Sequence, residues 1–409
     1  MNIEELLRDS LRGIAEEAAP APSPGLADRA LRTRTRRRIH RYAGVVAVVA
    51  AVVAIAVAGP LLEPGPEATP TGVSQADIPH VDIPQTDVIA RPDQSPPREL
   101  IAAGDIAMSA YREEHSETHG KDGKVSTPIW HLYNPGAGRY EKTDWGWIDV
   151  APGMQMAAVL ERDFPVKRIG ILSLATMRVV QWIPVNRGVG SVEFAEDGRR
   201  LLATAYARNP DHYGSDEEPA SARTGFYVID LASGESEYAA RVSATGSGLF
   251  GVTAGRDDLS FSDADPDLVR GWGYTDEGST FEYFDLEGNE AERPSAERFL
   301  IYPDDAGLSP DGRLVTGGMT RNSPPMSAVL FNRSGATAGE VHAQQLLAWA
   351  DDKRLIAWDC DPECDAGGEY SNHLVLVGIG SNKVQTLSGF RGSNPDADGR
   401  WIPVFTSRR

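Results

Sequence analysis

Cysteine is nearly missing from this chain: Cys360 and Cys364 are its only two copies. So few exclude a disulfide-built scaffold, and without a further Cys or His pair beside them they do not make a zinc site. Histidine is scarce as well, at eight residues. His115 and His119 stand four apart but lack the His-Glu-x-x-His order of a zinc protease. No Gly-x-Ser-x-Gly elbow, phosphate-cradling glycine loop or dinucleotide fingerprint occurs. An enzyme reading is therefore confined to sites assembled from separated loops.

Positive charge is also short. Forty Lys and Arg face 59 Asp and Glu, for a net charge of −19. Residues 1–42 hold nine Arg and six acids, a local +3, which leaves −22 for the rest. Nucleic acid is excluded as a partner, because phosphates demand basic patches. Amphipathic helical spacing is rare too. Residues 1–19 place Ile3, Leu6, Leu7, Leu11 and Ile14 near one helical face. Beyond residue 98 the one helix candidate is Gly339–Ala348.

What the sequence does hold is one long apolar run, Tyr42 to Leu62, without a charged residue. A hydrocarbon core of about 30 Å needs about 20 such residues in a helix. Seven Val, one Ile and two Leu contribute roughly −3 to −6 kcal/mol of insertion energy. Arg36, Arg37, Arg38 and Arg41 crowd its front edge, and Glu63 opens an acidic tract behind it. The positive-inside bias then puts the N-terminus in the cytoplasm and everything past 62 outside. A cleaved signal peptide is the rival reading, with Ala56-Val57-Ala58 as its site and a twin-arginine-like Thr35–Ile39. Its apolar core is normally shorter and starts nearer the N-terminus, so the retained anchor is favoured. In an exterior compartment Cys360 and Cys364 are expected to close a small disulfide.

The domain order expected is thus a cytoplasmic helix and basic stub over 1–41, a span over 42–62, a tether over 63–97 and a folded domain over 98–409. Pro64, Pro66, Pro70, Pro79, Pro84, Pro92, Pro96 and Pro97 make the tether extended and semi-rigid. Within it, Asp77-Ile78-Pro79 and Asp82-Ile83-Pro84 form a near-repeat.

From residue 98 the chain reads as short strands cut by turns. Asp197-Gly198, Asp311-Gly312, Asp352-Lys353 and Asp398-Gly399 each precede an Arg and an apolar strand start. Gly153 and Asp257-Asp258 sit where weaker copies belong. Asp accepts local N–H bonds and Gly takes positive φ, which closes hairpins tightly. The marks recur at roughly 40–60 residues, the size of a propeller blade. A second set of hairpins lies between them, at 131–142, 170–180, 226–238, 281–292, 328–340 and 374–385. The first unit takes its outer pair early and its inner pair from the C-terminus, which closes a ring. The expectation is an all-β β-propeller of six blades, preceded by one transmembrane helix and the short cytoplasmic helix. Seven blades stay open because Glu99–Tyr111 is one strand too many.

At Leu308-Ser-Pro-Asp311-Gly312-Arg313-Leu314 the chain resembles the WD-repeat and TolB-like propeller repeats. With its basic stub and single anchor it also resembles membrane-bound propeller proteins of actinobacteria. The resemblance implies a fold and not a function.

Four long connections, 112–127, 207–224, 262–278 and 359–370, carry a net charge of −12, and all four are expected on one face of the ring. That acidic face is expected to bind a cationic protein, a peptide or a metal. Asp263, Asp265 and Asp267 alternate as Ca²⁺ ligands do, but lack the Gly and Glu of an EF-hand loop. Three functions follow: a binding or sensing module outside the cell, a propeller hydrolase or lyase, or a regulator whose N-terminal helix holds a cytoplasmic factor. The layout of the third resembles membrane anti-sigma proteins without their His/Cys zinc motif.

Overall fold

The computed structural model describes residues 72–73, 78–89, 91–119, 123–213, 223–241, 256–275, 278–300, 306–320, 327–360, 370–381, 383–394 and 397–409. The stub, the apolar run 42–62 and Arg36, Arg37, Arg38 and Arg41 lie outside the described residues. No helix among the described residues is long and apolar enough to cross a membrane.

Alternation of apolar and polar side chains makes strands of almost everything else. In Ile129–Asn134, Trp130 and Leu132 are buried while Ile129 and His131 are half-buried, the period of two that a sheet between two layers requires. Four antiparallel meanders of four strands follow one another in chain order. The first comprises Trp147–Val150, Met156–Leu160, Val166–Ser173 and the start of Arg178–Phe194. The end of Arg178–Phe194 opens the second, which continues through Arg200–Tyr206, Arg223–Asp230 and Ser236–Ala240. Register breaks between Pro184 and Val189, where one long strand leaves the outer edge of one meander and becomes the inner edge of the next. Leu259–Phe261 to Glu290–Ala291 form the third, and Gln345–Asp351 to Val384–Thr386 the fourth. Between these last two lies a three-stranded sheet, Leu314–Thr320, Ser327–Asn332 and Thr337–His342.

The chain ends complete a further sheet. Arg400–Ser407 pairs along Ile106–Glu114, which pairs on its other side with Ile129–Asn134 and then Arg139–Lys142. One C-terminal strand therefore joins three N-terminal ones. That corrects the expectation of a C-terminal pair, and the surplus strand at Glu99–Tyr111 is the partner of the closing strand. Sheets stack face to face around this closed order. Leu202 and Phe226 of one meander meet Val269 and Phe284 of the next in a single apolar cluster. The architecture is an all-β propeller arrangement.

All six second hairpins form where the sequence put them. Of the first-hairpin marks, Gly153, Gly198 and Gly312 take φ of +81, +65 and +64°, which a side chain would oppose, and Asp352-Lys353 also forms its turn between Gln345–Asp351 and Arg354–Asp359. Two marks are misplaced. Asp257-Asp258 precedes a strand, and the turn that follows is 262–267; Gly399 introduces the closing strand instead of joining two. Gly339–Ala348 is not helical but falls in Thr337–His342 and Gln345–Asp351. The lone helical element among the described residues is a 3₁₀ turn, Ser295–Glu297.

The tether also departs from expectation. Residues 78–97 pack on the ring as a strap. The near-repeat puts Ile78 and Ile83 into two different cores, at 7% and 8% exposure. Gln155 exchanges two hydrogen bonds with the backbone of Val81. Asp87 binds Arg354 at 2.7 Å and the Gly104 amide at 2.8 Å. Arg408 donates to the carbonyls of Pro84, Thr86 and Gly104. A proline-rich segment cannot supply a core, but two isoleucines at a spacing of five can each fill a gap between sheets.

Candidate functional site

The turns between first and second strands of the meanders gather on one side of the ring and touch in sequence. Arg200 pairs with Asp267 at 3.1 Å, Asp263 accepts from the Leu308 amide, and the Asp311 amide donates to Asp352. This contact chain places 262–267 among the short turns, whereas 112–127, 207–224 and 359–370 connect second to third strands on the opposite side. The expected acidic loop 262–278 is thus two features separated by the strand Leu268–Thr275, and three of its carboxylates leave the acidic face. On that face, Ser116–His119 and Gly123–Ser126 form a hairpin that pairs with His212–Tyr213, so two of the long connections join in a small sheet of their own.

Asp263, Asp265 and Asp267 do not converge. Asp263 faces Arg270 at 3.0 Å, Asp265 accepts from the Asp267 amide, and Asp267 faces Arg200. Among the described residues no group of three or more His, Cys, Asp or Glu is arranged to hold a metal. Arg270 also meets fully buried Glu297 at 3.3 Å, and Glu297 accepts from Ser262 and Tyr283 hydroxyls at 2.9 and 2.5 Å. Burial pushes the Asp263 carboxyl up against the pull of Arg270. These residues hold the meanders together. Cys360 is buried at the end of its strand, and Cys364 lies outside the described residues.

Two carboxylates escaped the sequence reading. Asp149 accepts from the Phe194 amide at 2.6 Å, and Glu193 from the Phe261 amide at 3.2 Å. Each sits on the inner strand of one meander and caps the inner strand of the next. Burial raises Asp149 to about 7. Burial, helped by the Asp149 charge, raises Glu193 to about 8. Nothing in their local spacing announces this, because the latch joins residues 45 and 68 apart.

The seam between the closing sheet and the last meander holds the other concentration of chemistry. Tyr111 is 6% exposed, stacks on His131 at 4.4 Å and 7°, and meets Tyr140 and Trp401 edge-on. Glu113, two residues along the same face, lies 3.6 Å from His131 Nε2 and 3.8 Å from His115 Nε2. His115 Nδ1 in turn faces Asp398 at 2.9 Å. Burial lowers the His131 pKa more than Glu113 raises it. His115, Glu113 and His131 therefore form a half-buried row that ends at the exposed Asp398. Arg391, beside it, lies 3.6 Å above the Trp358 ring and donates to Asn372 and the Trp401 carbonyl. Burial and the nearby Arg400 charge lower it to about 9.

Beside Tyr111 the strap runs through residues 91–98 and lines an open cavity of about 580 Å³ with Arg91, Asp93, Gln94, Ser95, Pro96 and Arg98, all but Gln94 and Pro96 exposed. The strap backbone is fixed here. Trp401 Nε1 donates to Ser95 Oγ at 3.0 Å, the Gly389 amide to the Gln94 carbonyl at 2.8 Å, and the Arg98 amide to Gln94 Oε1 at 3.0 Å.

No family model and no curated protein matches this chain. Solved structures do. An oligogalacturonate lyase in complex with manganese is 10% identical, with TM-score 0.40 over 74% of this chain and 86% of its own. TolB from Acinetobacter baumannii is 12% identical, with TM-score 0.38 over 68% and 66%. The Pyrococcus horikoshii acylaminoacyl peptidase is 15% identical, with TM-score 0.38 over 75% and 48%. The chain thus spans about two thirds of TolB and half of the peptidase. Their likeness is one of fold.

Proposed function

We propose that this protein is a membrane-anchored, six-bladed propeller outside the cell that binds a ligand at its closing seam and so acts as a binding or sensing module. The observation that carries the reading is the strap. The segment between the apolar run and the ring crosses the seam where the first and last sheets meet and walls a cavity there. A ligand in that cavity contacts the stretch of chain that leads back to the anchor, so occupancy and tether are physically coupled. Blade count follows from taking the closing sheet, the four meanders and the three-stranded sheet as one blade each. Cells shaved with protease and the full chain followed by hydrogen exchange test both halves. The expected result is release of the region beyond residue 62, and slower exchange over 78–97 when a ligand is bound. A propeller spared by external protease removes the topology; a strap indifferent to every bound compound removes the sensing role.

A hydrolase or lyase is the second reading, favoured by Glu113 between His115 and His131. Paired acid and base groups of this kind move protons when a substrate reaches them. Glu113→Gln abolishing turnover in a screen of hydrolase and lyase substrates would establish it, and a screen without turnover dismisses it.

A further inference from the structure

Several arginines of this acidic chain are matched to a carboxylate. Arg223 binds Asp257 at 2.9 Å, Arg256 binds Asp211 at 2.6 Å and Arg270 binds Asp263 at 3.0 Å. Arg91 and Arg98, on the seam cavity, are not. Neither side chain makes an ion pair or hydrogen bond with a described residue. With 59 acids against 40 bases in the chain, two exposed arginines on one cavity without a carboxylate partner are a local concentration of positive charge. Asp93 is the one acid on the wall, so the cavity carries a net positive charge inside a protein of −19.

The other wall groups add donors. Ser95 Oγ already accepts from Trp401, which leaves its proton for something else. Tyr111 has its ring covered by His131, Tyr140 and Trp401, so its hydroxyl is what it can still offer. That hydroxyl feels the Arg98 charge, which opposes the upward push of burial and Glu113 on its pKa. No ring face is open for stacking. The volume of about 580 Å³ falls within the range of small-molecule sites, and hydrogen bonds fix the strap backbone that carries the two arginines.

We infer that the seam cavity binds a small, oxygen-rich anion, a carboxylate or phosphate compound, through Arg91 and Arg98 with the Ser95 and Tyr111 hydroxyls beside them. Guanidinium forks match carboxylate and phosphate oxygens two at a time. The inference rests on the binding reading above and adds the chemical class of the ligand.

Calorimetry on the full chain in detergent tests it, with citrate, inorganic phosphate and neutral glucose as separate probes. The carboxylate or the phosphate arm is expected to bind at constant ionic strength, and glucose is not. Which anion binds distinguishes the two sources of the same chemistry. Arg91→Gln with Arg98→Gln should weaken that binding at least tenfold, while Arg139→Gln, on the outer edge of the closing sheet, should leave it unchanged. Hydrogen exchange over 78–97 in the double variant shows that the strap is still seated. Anion binding that is absent, or equal in the double variant, overturns the inference. Glucose binding with retained strap protection would sink the anion class alone and leave the binding module standing.

Discussion

Asp149 and Glu193 show how a ring of separate sheets is tied at single atoms. Each carboxyl accepts a backbone N–H of the neighbouring inner strand, and each is buried enough to be held near 7 and 8, far above the ordinary carboxylate range. The unfolded chain releases these protons near pH 4, and the folded chain keeps them until pH 7 or 8. Folding stability from these groups is therefore complete below about pH 4 and is lost as pH rises through the folded values. Melting temperature should climb as pH is lowered from 8 to 5. Asp149→Asn keeps an oxygen for Phe194 and removes the titration, so it should flatten the climb; an unchanged slope would show that other groups set it. Arg270 makes the opposite kind of contact, a buried cation between Asp263 and Glu297. Arg270→Ala leaves buried carboxylates uncompensated and should cost about 3 kcal/mol in urea unfolding. A loss under 1 kcal/mol would mean that the pair is better solvated than its burial implies.

Among elements, the second hairpins were legible and the strap was not. Asn134 to Gly138 and Asp230 to Gly234 announce their turns through short-range chemistry, which a local reading captures. Ile78 and Ile83 sit in a stretch whose composition argues for solvation, and only contacts with residues tens of positions away reveal them as core. The anion cavity was hidden for the same reason, since all of its lining residues but Tyr111 come from that stretch. The misplaced turn at 257 has a local cause: Asp263 to Asp267 closes its hairpin without glycine, so the nearest Asp pair looked like the mark. Ile78→Ala and Ile83→Ala should each cost about 2 kcal/mol and speed exchange in residues 78–89. If exchange there is fast already in the parent protein, the strap contributes nothing to hold.

At the scale of the whole molecule, ring closure depends on the last strand. Arg400–Ser407 pairs over its length with Ile106–Glu114, and Arg408 fastens the strap. Ending the chain at residue 398 removes the inner strand of the closing sheet and opens an edge on Ile106–Glu114. The truncated protein should lose cooperative unfolding and aggregate, as measured by circular dichroism and light scattering; a sharp thermal transition in it would show that the ring does not need its clasp.

The closing strand also sets a clock for biosynthesis. A polypeptide made from its N-terminus offers Ile106–Glu114 well before the partner for that strand is made. Until Arg400–Ser407 has emerged, the nascent ring stays unclasped, with one strand edge waiting for a companion not yet made.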